Sequence, residues 1–511
     1  MGQIARYLPI SRDISPFYPA PADLGWYSQC SDLYYEYKSK LNNLKLRDDV
    51  VFDKDTGILE INLNTYQKNG NIDGFKTDNF VSYNNGVLSI KPYYNGVQVK
   101  KIVINGAYGT LDLGGQKIET VIDNVSIKLQ QGDWYSGLKL KLANVAIIGA
   151  DGESAIDLTA LSDSIMATIL FVGDNKIIGR SGADGKTALT ANNIILESHD
   201  NGTVELHGGN GADATEAGGN GGAGGNAITA SNIVVDMTGT LNVYGGNGGN
   251  GADGVDGGTG STGSSLTSPG YHGKAGNGGN GTQGSNGGNG GIGGDALTAN
   301  ITVFQGTVVL EGGTGGSGGA GGAGGTGGTG GYTTRWGVGY GGDGGDGGAP
   351  GNGGKGGRGG LPTSKDVTNK NGHCTIIAGK GGPGGTGGKG GNGGVGGESK
   401  DQRGIGGNGG FGHCGGSGGD SGAGLILEVD TTGTYSGNIV VVDGKDGTPG
   451  KGGAGGAGGA GGKGGDKNGT SYSNEYAKNG SDGLSGGATV IRIGGIVPSP
   501  KPNPFGPITI A

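Results

Sequence analysis

From Val50 onward, apolar and polar residues alternate in short stretches: GILEINL, GVLSIKPYY, VQVKKIVI, VSIKLQ and LKLKLANVAII, each bounded by Gly, Asn or Asp. Alternation with period two marks half-buried strands, and the bounding residues are turn formers. The pattern predicts a β domain over 50–150. Ahead of it, Leu33, Tyr37, Leu41 and Leu44 recur at helical spacing behind a candidate N-cap at Ser31, which predicts a helix over 31–47. Residues 1–27 carry Pro and aromatics without a period and read as an extended arm. Arm and helix together make 1–49 an attachment segment.

Beyond residue 150 the strands repeat. Ala155 opens AIDLTALSDSIMATILFVGDNKIIG, Ala188 opens ALTANNIILESHDNGTVELHGG, Ala227 opens AITASNIVVDMTGTLNVYGG and Ala296 opens ALTANITVFQGTVVLEGG. Each unit is a strand, a turn, a second strand and a glycine-rich excursion that lengthens along the chain. Two degenerate copies follow, at 374–379 and 425–444, and ATVIRIGG supplies a last strand. A repeat that returns to the same strands while its insertion varies is the signature of a β-solenoid or layered sheet with insertions leaving from one edge. The expected fold class is therefore mostly β. An arm and single helix precede a β domain (50–150) and a β-repeat platform (151–207). Repeat units with projecting glycine hairpins (208–496) and a Pro-rich tail (497–511) complete the chain.

Composition changes the reading of those insertions. Of 511 residues 132 are Gly, and only 32% are hydrophobic, so ordinary cores cannot run throughout. The glycine is periodic, as Gly-Gly-X, which suits polyglycine II: an extended three-residue-per-turn helix without internal hydrogen bonds, rising about 3.1 Å per residue. Such helices can bond laterally when no Cβ holds their backbones apart. Collagen needs Gly at every third position and much Pro, and only 15 Pro occur. Runs 312–331 and 341–360 match in length and predict a hairpin of roughly 60 Å. Runs 245–260 and 277–294, and 379–397 and 404–424, predict two more, and 445–465 starts another. Hairpins of equal length on one platform would bring their non-glycine turns together as a tip.

Charge and cysteine content narrow the function. The net charge is −8 with scattered basic residues, which argues against nucleic acid as a partner. Three cysteines are too few for a disulfide scaffold. No apolar run approaches the ~20 residues of a membrane span, and the N-terminus lacks the apolar segment of a signal peptide. No membrane insertion and synthesis in a cytoplasm are expected.

The Gly-Gly-X runs with aromatic-bearing turns, over residues 208–482, resemble the glycine-rich tip adhesins of T-even-like bacteriophage tail fibres. In that family, bundles of polyglycine II helices are joined by variable loops that read a receptor. The resemblance implies a virion protein, with the N-terminal region held by another virion structural protein and the tip bound to a glycan or outer-surface protein of the host. Residues 1–207 and the strand units between the runs depart from the family as known, so the platform is expected to differ.

Turn residues Tyr271, His272, Tyr332, Arg335, Trp336, Tyr340, Lys400, Gln402, Arg403, Tyr472, Asn474, Glu475 and Tyr476 are the candidate receptor contacts, because Trp, Tyr and Arg dominate binding hot spots. Their competing role is to plug the end of the rod. The pairs His373-Cys374 and His413-Cys414 could supply zinc ligands or a disulfide, but adjacent side chains on an extended strand point apart, so no metal or other cofactor is expected. Asp151, Asp157, Asp174, Asp184 and Asp200 sit near strand ends without a paired-carboxylate spacing and read as turn formers, so catalysis is not expected. GADGKT at 182–187 is too short for a phosphate loop and reads as a turn. The expected function is a non-enzymatic phage adhesin. The alternative is a virion decoration or surface filament whose glycine rods pack against other copies, and a homo-oligomer fits either. Ice binding would need a more regular array of Thr than the mixed X positions supply.

Overall fold

In each strand-forming stretch every second residue is aliphatic, so one side of the backbone must be buried. The protein solves this by stacking coils. The structure, a computed structural model, describes residues 45–47, 50–63, 80–84, 87–105, 110–113, 116–119, 122–267, 273–334, 339–399, 407–417, 425–429, 438–457, 489–493 and 509–510.

Three columns of parallel strands run through the stack. One joins Val87–Ile90, Ser126–Leu129, Ile156–Asp157 and Leu189–Thr190 to the starts of the long strands Ile228–Tyr244 and Leu297–Glu311. A second passes through Ile58–Asn62, Lys101–Asn105, Lys139–Ala143, Met166–Val172 and Asn193–Ser198 to the middle of the same long strands. The third runs from Ala146–Ile148 through Asn175–Ile178 and Thr203–His207 to the ends of the long strands, then to His373–Ile377 and Asn438–Val442. Each coil thus repeats three segments that pair with their counterparts one coil on, the pairing pattern of a β-solenoid. Pairing continues without a break across residue 150.

Inward positions stack like on like. Leu140, Ile169, Leu196, Val235 and Val303 follow one another in the second column, and Leu206, Val243, Leu310 and Ile376 in the third, all buried. Near the N-terminal end of the stack, Phe52, Phe80 and Tyr94 meet edge-on with centroids 4.8–6.0 Å apart. Antiparallel pairs at that end include Lys45–Arg47 with the strand Val50–Asp53. The helix expected over 31–47 is therefore corrected at its C-terminal end: residues 45–47 are strand, because their backbone completes the edge beside Val50. Residues 31–44 and the arm lie outside the described residues.

The glycine runs continue the columns. Gly208 N donates to Tyr244 O, Gly245 N to Glu311 O and Gly312 N to Ile377 O, so the third column passes without interruption from strand into glycine helix. Return runs re-enter at the first column, where Ala227 N donates to Asp295 O and Ala296 N to Leu361 O. The hairpins lengthen from 208–226 to 245–295 and 312–361, followed by 379–417 and an outgoing run at 445–457.

Within the bundle the three residues of a triplet have separate tasks. The first glycine donates to the next outgoing or return run, as Gly315 N to Lys380 O at 2.8 Å. The second donates across to an antiparallel run, as Gly345 N to Gly328 O at 2.8 Å. The X residue faces outward. Outgoing runs form one layer and return runs the other. The hairpin expected from 312–331 and 341–360 is present, with antiparallel bonds from Gly342→Gly331 to Gly360→Gly313. The outgoing run expected over 245–260 extends further, since Gly276 N still donates to Ser264 O.

Glycine is required here for proximity rather than for unusual dihedrals. Among described glycines of the hairpins only Gly218, at a turn, has a positive φ, of 71°. A Cβ on Gly315 would stand 1.9 Å from Gly357 O, and one on Gly345 2.0 Å from Gly279 O. Gly345→Ala is therefore expected to destabilise the fold by about 2 kcal/mol or more, as overpacking does. At Gly258 the nearest atom to an added Cβ is Thr282 Oγ1 at 3.4 Å, so Gly258→Ala should change stability by less than about 0.5 kcal/mol. Denaturant titration of the two variants checks the contrast.

Candidate functional site

The outward X residues explain why Asn and Asp are so common. An X-position N–H has no neighbouring carbonyl, because its backbone faces solvent. The side chain of the preceding run fills the gap: Asn247 Oδ1 accepts from Thr314 N at 2.9 Å, Asn250 Oδ1 from Ser317 N at 2.9 Å and Asp253 Oδ1 from Ala320 N at 2.7 Å. The return layer repeats the device at Asn280–Asp346–Phe411 and Asn286–Asn352–Ser417. These bonds hold the first three outgoing runs, and the successive return runs, in register.

That register brings the far ends together. Leu266, Thr333 and Ser399, from three successive outgoing runs, pair side by side, and Lys274 pairs with Tyr340 in the return layer. The three outgoing runs therefore reach Leu266, Thr333 and Ser399 at one height, at the same end of the rod. At that end lies a buried hydroxyl chain: Thr333 Oγ1 donates to Ser399 Oγ at 3.2 Å, and Ser399 Oγ donates to Gly339 O at 2.9 Å. Both side chains are 4% exposed. Beside it Lys274 Nζ forms an ion pair with Asp343. Partial burial pushes the Asp343 carboxyl up, but the bonds from Lys274 and from the Asn408 amide outweigh it and hold the group below the usual carboxylate range.

Of the candidate contacts, Tyr332 and Tyr340 are described. Both are exposed, at 45% and 42%, on opposite faces of the bundle: Tyr332 follows the outgoing X row and Tyr340 heads the return row. Tyr271, His272, Arg335, Trp336, Lys400, Gln402, Arg403, Tyr472, Asn474, Glu475 and Tyr476 lie outside the described residues. Thr333 and Ser399, which tie the turns together, carry no sequence signal, since a hydroxyl near a turn is ordinary.

The other chemical candidates have structural duties. Asp151 pairs with Arg180, Asp157 with Lys128, and Asp174, Asp184 and Asp200 accept from the amides of Thr203, Ala223 and Gly173. In GADGKT the amides of Gly182, Gly185 and Lys186 are spent on Asn210, Ala223 and Arg180 carbonyls. Among the described residues no group of three or more His, Cys, Asp or Glu could hold a metal ion. Cys374 and Cys414 are both free thiols. Cys374 sits inward between Val308 and Ile439 while His373 faces out. Among the described residues no helix is long and apolar enough to cross a membrane.

Ser399→Ala removes both bonds of a buried hydroxyl and is expected to cost about 1–3 kcal/mol, read by thermal or denaturant unfolding. Complete burial pushes the Cys374 thiol up to about 12, so it remains protonated at neutral pH. In a Cys30→Ser background a disulfide reagent should label exposed Cys414 promptly and Cys374 only after unfolding.

No protein-family model matches the chain. No curated protein matches it either. Among solved structures, the chain is similar to the nine-helix polyproline type II bundle antifreeze protein of the springtail Granisotoma rainieri. The identity is 23%, over 42% of this chain and 91% of that one, with a TM-score of 0.07, a value that carries no argument.

Proposed function

We propose that this chain is a non-enzymatic bacteriophage adhesin, a virion protein that binds a host surface receptor through the turns at the far end of its glycine bundle. The observation that supports this reading is the register of Leu266, Thr333 and Ser399, which brings the residues just ahead of three sequence-distant turns to one end of the bundle. A pre-ordered rod loses little entropy when its end binds, and several weak loop contacts add through virion geometry. Exposed Tyr332 and Tyr340 flank the turns, with Arg335 and Trp336 between them in sequence. The N-terminal region would be held by another virion structural protein.

The competing reading, a filament built by adding rods edge to edge, has a specific observation against it. Beyond the short first hairpin, the outer groove of the second is uncovered, and there the repeat abandons Gly-Gly-X. Ser285 Oγ and Thr282 Oγ1 accept from the amides of Val255 and Gly258 at 2.7 and 2.6 Å. Val255, 58% exposed, stands at the second triplet position, which is glycine throughout the third outgoing run, where runs pack on both sides. The edge is finished with its own side chains, the way natural sheet edges block further pairing.

If the turns bind receptor, replacing Arg335, Trp336 and Tyr340 together by Ser should abolish binding of the purified chain to host cells. Its unfolding free energy should stay within about 0.5 kcal/mol of the parent, the range of surface substitutions. Full binding by this variant would remove the tip from the reading.

A further inference from the structure

The X residues of the outgoing runs form a flat lattice whose rows are set by the parallel bonds. One row is Asp256, Ala323, Lys389 and Ala454, and the next toward the root is Asp253, Ala320, Thr386 and Lys451. Charge is segregated across this lattice. The first and second runs present Asp213, Asp253 and Asp256, while the fourth and fifth present Lys380, Lys389, Lys445 and Lys451, with exposed Glu398 as the one acid of the fourth X row, at its far end. Between them the third run carries Thr314, Ser317, Ala320, Ala323, Thr326 and Thr329, nothing larger than Thr until Tyr332 at its far end. The return layer is different: its third run mixes Asp343 and Asp346 with Lys355 and Arg358, and Asp343 is already paired with Lys274.

We infer that the outgoing face is a self-complementary interface for a second copy of this chain, related by a two-fold axis that runs along the third outgoing run. That axis is singled out by the charges. A two-fold along the rods exchanges the second run with the fourth and the first with the fifth, and it preserves height. Asp256 then faces Lys389 of the other copy, and Asp213 falls between the rows of Lys445 and Lys451. A two-fold across the rods would set acid against acid and lysine against lysine. The small residues of the third run let the two faces approach on the axis.

Size also suits a dimer. The second to fourth runs, about 20 residues or 60 Å long and about 4.8 Å apart, with the shorter first and fifth beside them, cover on the order of 1,000 Å². A stable interface needs about 800 Å² per partner. Because the interface is isologous it closes at two copies, with the outgoing face of each used up. Both far ends point the same way, so the dimer presents two sets of turns side by side, with Tyr332 meeting its own counterpart on the axis. Glu311, at the root of the third run, also meets itself, and this like-charge pair opposes association.

The inference stands independently of receptor binding and is tested by mass. The full chain should sediment as a dimer at low salt and dissociate towards 1 M, where the screening length falls to ~3 Å. Lys389→Glu with Lys451→Glu should give a folded monomer, Lys389→Arg with Lys451→Arg should remain dimeric, and Glu311→Gln should tighten the dimer. Orientation is read by cross-linking in a Cys30→Ser, Cys414→Ser background. Ser317→Cys, on the axis, should form a disulfide-linked dimer, and Thr259→Cys, off the axis, should not. A monomeric parent chain, a Lys-to-Glu variant that dimerises as tightly as the parent, or equal cross-linking at both positions would overturn it.

Discussion

The lateral hydrogen bond between backbones that have no Cβ is the interaction on which the bundle depends. An extended Gly-Gly-X helix satisfies none of its amides internally, so each run is stable only when neighbours accept from it. Those neighbours must come so close that an added Cβ would reach carbonyl oxygens at about 2 Å, as at Gly315 and Gly345. Glycine is therefore used twice per triplet for its missing side chain, and its large backbone entropy is offset by a bond from almost every amide. The third residue keeps a side chain because it faces out, and where it is Asn or Asp that side chain accepts the amide that the lattice leaves over.

This bonding needs a register, and the solenoid supplies it. Parallel strand columns and parallel glycine runs share one spacing, so Tyr244–Glu311 pairing passes directly into Gly245–Glu311 bonding. The aliphatic stack in the coil interior holds the roots of every hairpin at one height. Equal run lengths then carry that height to the far end. Leu266, Thr333 and Ser399, each about a coil apart in sequence, become neighbours at the far end through arithmetic set at the root.

Rigidity and outward display follow from the same geometry. The bundle has no hydrophobic core of its own, so its large side chains are free to stand on faces, at the uncovered edge and at the end. Val255 marks an edge where no run packs, Tyr332 and Tyr340 mark the two faces beside the turns, and the Asp and Lys rows give the outgoing face its polarity.

Much of this could be read from the residues alone. Period two announced the strands, the recurring Ala-led units announced the stacked coils, and the equal runs either side of Tyr332–Tyr340 announced a hairpin with its turn at the far end. These signals are local, because alternation and triplet period reflect what each residue must face. The helix expected to reach residue 47 failed there because a neighbouring strand edge, invisible to local spacing, recruits 45–47. Only the tertiary structure decided which carbonyl each amide meets, that Asn247 serves Thr314 some 67 residues later, that Ser399 joins Thr333 beneath the turns, and that acids and lysines separate across one face. Those are consequences of how coils stack, and stacking couples residues a whole coil apart, where no short window of sequence can pair them.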